Sequence, residues 1–136
     1  MIKPIVRDVM FLKQKSEPAG PEDMPVARDL QDTWNAHRER CAGMAANMIG
    51  YRKRMIIVSA GMLGMVMVNP VILKKSGAYE TEEGCLSLTG VRKTTRYRNI
   101  TLQYQDLQMN THVREFSGMI AQIIQHECDH LEGIII

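Results

Sequence analysis

The segment QHECDH, residues 125–130, carries two histidines four positions apart with a glutamate directly after the first. Residues i and i+4 share one face of an α-helix, so His126 and His130 can hold a single metal ion. Glu127 can then take a proton from water activated there. The pattern is short and occurs by chance. The competing reading is an amphipathic helix that merely carries two histidines. A catalytic zinc-type centre takes three protein ligands and keeps one position open. Cys128 cannot be the third ligand, because it lies about 160–200° from the histidines around the same helix. It reads instead as a small buried core residue. Cys85, set among the glycines of TEEGCLSLTG (81–90), is the better candidate, since a soft thiolate suits zinc or iron(II). Cys41 competes, although it also reads as a small apolar group packed beside the segment CAGMAANMIG (41–50). His37 and His112 have no ligand-like neighbours and read as surface residues. Three widely spaced cysteines argue against a disulfide framework.

These residues need a helix and a loop to bring them together. MIAQIIQHECDHLE (119–132) has Ser117 as N-cap and Gly133 as its stop. At about 100° per residue, Met119, Ile123, His126 and His130 share one face. Ile120, Ile124, Cys128 and Leu131 form an apolar back for the core. Met119 and Ile123 either line a pocket for an apolar side chain or pack in the core. A second helix is expected over 26–40, with Leu30 and Trp34 on one face, after a proline-rich loop at 15–25. Strands are expected at 55–59, 65–73, 99–104 and 111–116, the last pair joined by a hairpin loop QDLQMN. Pro70 marks an edge strand or a break. The small residues of 41–50 read as a tight segment that a ligand's backbone can approach. The expected class is α+β: antiparallel β-sheets packed around a C-terminal metal-binding helix, with one N-terminal helix, in a single domain over 1–136.

Composition excludes several roles. A hydrophobic share of 45% and a charged share of 24% are ordinary for a globular chain. A net charge of +2 makes no case for direct nucleic-acid binding. The basic run Arg92, Lys93, Arg96, Arg98 reads as a solvated strand face. No apolar stretch reaches the roughly 18 residues of a membrane span. The opening MIKPIVRDVMFLKQK lacks a signal peptide's apolar core, so a cytoplasmic protein is expected. Nothing in the sequence speaks to oligomeric state.

EGCLS (83–87), HECDH (126–130) and GMAAN (43–47) resemble, in order and approximate spacing, the three motifs of peptide deformylases. The resemblance covers the whole chain. It implies a metallohydrolase that removes the formyl group from the N-terminal formylmethionine of nascent polypeptides. By that resemblance Cys85, His126 and His130 hold one divalent ion, Fe(II) or Zn(II), with Ni or Co able to substitute. Glu127 takes a proton from water and passes it to the leaving amine. The backbone N–H of Leu86 helps hold the developing oxyanion. Ala42, Gly43 and Gly84 pair with the substrate backbone like an added strand. Arg92 matches an arginine that supports the metal loop; its plainer reading is a surface arginine. Two departures stand out. Against the usual G-x-G-x-A-A-x-Q, Cys41 replaces the first glycine and Met48 replaces the glutamine. That glutamine donates to the oxyanion and a methionine cannot, which implies slow turnover unless a neighbour such as Asn47 supplies the donor. Many relatives also continue past the metal helix with a further strand or helix, where 134–136 is expected to form only a short edge strand. Two other functions compete. One is a metal-binding paralogue without useful turnover that binds N-terminal peptides. The other is a small zincin-type peptidase, to which Cys85 in EGCLS is a poor fit.

Overall fold

Met55, Ile56, Ile57 and Val58 are four consecutive buried residues. A strand without a polar face belongs inside a sheet, covered by other elements. In the computed structural model, which describes residues 1–85 and 87–136, this segment is β2 (Met55–Ala60). It is flanked by β1 (Gly43–Ala45) and β3 (Leu63–Cys85) in one antiparallel five-stranded sheet. The order continues through β4 (Leu88–Gln105) to β5 (Thr111–Ser117). The helices are a short α1 (Val9–Leu12), α2 (Met24–His37) and α3 (Gly118–Leu131). Two 3-10 turns, Pro21–Asp23 and Ala46–Ile49, precede α2 and follow β1. Both α2 and α3 pack on β2. Leu30 and Trp34 of α2 are fully buried beside Met44, Ile57 and Met67, and each such side chain contributes about 1.5–3 kcal/mol by leaving water.

The α+β class and the helix at the C-terminus match expectation, with differences in extent. The strands form one sheet. α2 begins two residues before the expected start, directly after the 3-10 turn, and α1 is an additional N-terminal helix. The strand expected at 65–73 runs on to Cys85, and the one expected at 99–104 begins at Leu88. The stretch 81–90 is therefore mostly paired strand. Its pairing sets Glu82 opposite Lys93, Glu83 opposite Arg92 and Glu80 opposite Thr95. Opposed charges, and the hydrogen bond from the Thr95 hydroxyl to Glu80, stabilise such pairs, which is how so polar a sequence forms a long hairpin. Pro70 sits in a register irregularity between Val68 and Val71, beside Asn69 at φ 50°. In the β4–β5 turn, Asp106 Oδ1 accepts from the backbone N–H of Gln108 and Asn110.

α3 ends where Gly133 adopts φ +77°. A Cβ there would lie 2.2 Å from the Lys13 carbonyl oxygen, so the position takes glycine on both counts. The Leu131 carbonyl accepts from the Ser16 N–H, which ties the helix end to the N-terminal segment. Ser117 precedes the helix, but its side chain makes no capping bond. Residues 134–136 form no strand; Ile136 is instead buried as an apolar plug.

Candidate metal centre and active site

α3 is fixed over the sheet by its own side chains. The Gln125 amide pairs with the backbone of Tyr97 on β4, accepting from its N–H at 2.9 Å and donating to its carbonyl at 2.8 Å. Ile124, Cys128 and Leu131 fill the core behind it. The opposite face presents His126 and His130, whose Nε2 atoms lie 3.1 Å apart. Cys85, at the end of β3, brings its Sγ to 3.3 Å from His130 Nε2. All three ligand atoms fall within 4.8 Å of one another. Ligands at Zn–N and Zn–S distances of about 2.0–2.3 Å around a tetrahedral ion sit roughly 3.3–3.7 Å apart, so the donor set fits one cation. Among the described residues this is the only such cluster; Cys41 lines the same cavity outside it.

A layer of polar residues behind these side chains holds them in place. Glu83 Oε1 faces His126 Nδ1 at 2.8 Å. Arg96 grips Glu83 through Nε and Nη2, and reaches Asp129 through Nη1 at 2.7 Å. Gln122 donates to Glu83 Oε2 at 2.8 Å. Burial alone would raise the Glu83 carboxyl, but bonds from His126, Arg96 and Gln122 outweigh it and hold it down at about 2. A carboxylate fixed against Nδ1 leaves Nε2 of His126 free to face a metal. Asn47 is completely buried and donates through Nδ2 to the His130 carbonyl at 2.9 Å.

Glu127 differs from Glu83. It is buried, and its Oε1 has no hydrogen-bond partner among the described residues. Burial pushes its carboxyl up to about 7, against the opposing pull of His126. That value suits a group that takes and returns a proton near neutrality. A cavity of about 210 Å³ opens in front of it. Ala42, Gly43, Gly84 and Met48 form part of its wall, with Met119 and Ile123 from α3. Ile123 is half-buried, whereas Met119 is 73% exposed and stands at the rim, so it is no core residue. Gly43 permits the close approach: a Cβ there would meet Ile123 Cγ2 at 2.6 Å and Glu127 Oε2 at 3.1 Å.

Met48 is buried against this cavity, its sulfur accepting from the Ala45 N–H at 3.4 Å. Asn47 is not among the residues lining the cavity, and its Nδ2 is directed at the His130 carbonyl. The Cys41 thiol donates to the Gly43 carbonyl, and burial pushes it up to about 12. Arg92 is half-buried opposite Glu83. The buried guanidinium against Glu83 belongs to Arg96, which corrects the reading of the whole basic run as a solvated face. His112 is exposed beside Asp106, and Cys128 is buried in the core, both as expected. Leu86 lies outside the described residues. Sequence reasoning gave Glu83, Arg96, Asp129 and Gln122 no role at the site. Only the Glu83 position, two residues before Cys85, offered a signal.

The chain matches the family model described as polypeptide deformylase over residues 2–136. It is 57% identical over 136 residues to a peptide deformylase of Clostridium beijerinckii, covering all of both chains. It is 35% identical to one of Cytophaga hutchinsonii, covering 99% of this chain and 80% of that protein. Among solved structures, the class I type b peptide deformylase of Acinetobacter baumannii bound to Met-Ala-Ser superposes with a TM-score of 0.88 at 30% identity, covering 99% and 97% of the two chains.

Proposed function

This chain belongs to the peptide deformylase family, and we propose that Cys85, His126 and His130 hold one divalent metal ion beside Glu127 as the proton-transfer group. It is a metal-dependent hydrolase that removes the N-formyl group from the N-terminal formylmethionine of nascent polypeptides. Iron(II) or zinc suits a thiolate and two imidazoles, and nickel or cobalt can replace them. Bound there, the cation lowers the pKa of water and polarises a carbonyl.

The remaining steps fall to the chain's own groups. Glu127, with one oxygen unpartnered and its carboxyl near 7, accepts the proton of the attacking water. It delivers that proton to the departing amine nitrogen, so that formate leaves and a free N-terminus results. Negative charge develops on the formyl oxygen during attack, and we assign the Leu86 N–H as a donor to it. β1 ends the sheet, and its unpaired side lies along the cavity. A substrate backbone added there meets Ala42 and Gly43, with Gly84 across from them. Ile123 and Met119 receive the methionine side chain. Arg92 supports the loop after Cys85, together with the Arg96–Glu83 pair. The Met-Ala-Ser peptide in the Acinetobacter structure supports a peptide site in this fold. We place the activity in the cytoplasm, on nascent chains.

The convergence of Cys85, His126 and His130 beside a buried, unpartnered Glu127 carries this reading. Metal-replete protein given formyl-Met-Ala-Ser should release formate and leave Met-Ala-Ser uncut. Cleavage of a peptide bond in the unblocked peptide would point to a peptidase. Absence of either reaction would leave a binding protein.

A further inference from the structure

One charged residue at the cavity has no task in the chemistry above. Arg40 lines the mouth, in the exposed turn after α2. It is the single Lys or Arg among the described lining residues. Its guanidinium makes no hydrogen bond or ion pair among the described residues. The acidic groups of the cavity are otherwise engaged: Glu83 is bound by Arg96 and His126, and Glu127 lies buried at the base. Resting on the deformylase reading, we propose that Arg40 gives this enzyme a preference for a side-chain carboxylate at the second or third residue of the formylated chain.

Position along the chain sets the register. Gly43 marks the reacting end, since a Cβ on it would be 3.1 Å from Glu127. Arg40 is three residues upstream, no more than roughly 10 Å away along the backbone. A peptide laid along β1 with its formyl group at Glu127 advances about 3.3 Å per residue. Its second and third residues therefore come within reach of the Arg40 side chain. That group is solvent-exposed, so the preference is modest: about two- to fivefold, and weaker at high salt.

The test uses formyl-Met-Ala-Ser amide and versions with Asp or Lys at the second or third position. The amide removes the C-terminal carboxylate as a rival ligand. The Asp-to-Lys ratio of kcat/KM is read within each protein, so a general change in activity divides out. The ratio should exceed one for the natural protein at one of the two positions, mainly through KM. It should fall toward one in Arg40→Ala, and below one in Arg40→Glu. An equal ratio in the natural protein and Arg40→Glu overturns the proposal. So does an Arg40 effect seen only with free-acid peptides, which would mean that the guanidinium reads the chain end. Failure of the natural protein to cleave the neutral formyl peptide would sink the deformylase reading instead. Calorimetric binding of the unformylated Asp and Lys amides then still decides on Arg40, by the same order of affinities.

Discussion

Glu127 and Met48 face the same cavity, yet their expected contributions point in opposite directions. Glu127 has the position and the raised carboxyl of a proton carrier. Glu127→Gln keeps the size of the side chain and leaves the three ligands untouched. It should retain bound metal and lose about 10²–10⁴-fold in turnover. Metal content and formate release, measured on one preparation, check both halves. Undiminished turnover in metal-loaded Glu127→Gln would take Glu127 out of the mechanism. Met48 is where the family pattern carries a hydrogen-bond donor; its own thioether cannot donate, and Asn47 lies outside the cavity lining with its Nδ2 directed at the His130 carbonyl. An oxyanion donor is typically worth about 10²–10³-fold in turnover. Met48→Gln should therefore raise kcat by at least about tenfold, allowing for imperfect placement in a buried site. KM should change less, because the added bond strengthens mainly in the transition state. Steady-state kinetics with matched metal loading decide; a natural enzyme already as fast as its glutamine variant would show that another group supplies the donor.

At the scale of elements, the decisive link joins β3 and β4 to α3 through Arg96, Glu83, His126 and Asp129. Arg96 and Glu83 side chains are only 4% and 7% exposed. Removing one partner leaves an uncompensated buried charge, typically costing 3–5 kcal/mol. Arg96→Leu should lower unfolding free energy by about that amount. Weaker metal binding should accompany it, by about 10–100-fold. Chemical denaturation and a chelator competition measure the two effects, and Arg98→Leu serves as the exposed control from the same strand. Equal losses in both variants would deny the network its role. This link also marks the limit of what the sequence discloses. The helix and its histidines are readable because 3.6-residue periodicity puts them on one face. Cys85 is readable through its glycine-rich surroundings. The Arg96 role is not, since alternation puts Arg92, Arg96 and Arg98 on the same side of the strand, yet of these three only Arg96 is buried. The hairpin over 74–98 hides for a related reason: its stability comes from cross-strand pairs such as Glu82 with Lys93, and local propensity does not record them. α1 is four residues long and carries too little periodic signal to register.

Across the whole molecule, the proposed metal ligands come from the sheet and from the last helix, 41 positions apart between Cys85 and His126. Holding one ion there would clamp β3 to α3 and close the two layers around the core. α3 is otherwise held by Gln125 on Tyr97, by its apolar back and by the Ser16 bond at its end. These should keep the metal-free protein folded but less stable. An ion that binds only the folded state adds RT ln(1 + [M]/Kd), about 4.1 kcal/mol at a thousandfold excess over Kd. Unfolding with and without metal should thus differ by several kcal/mol in the natural protein. Cys85→Ala should abolish that difference. Cys128→Ala creates a cavity in the core and should lower both curves while preserving the gap between them. Cys41→Ala should also preserve it, since its thiol lies outside the ligand cluster. A metal-dependent gap that survives Cys85→Ala and disappears in Cys41→Ala would move the third ligand from the sheet's long hairpin to the segment before β1. The clamp would then join α3 to the sheet edge instead.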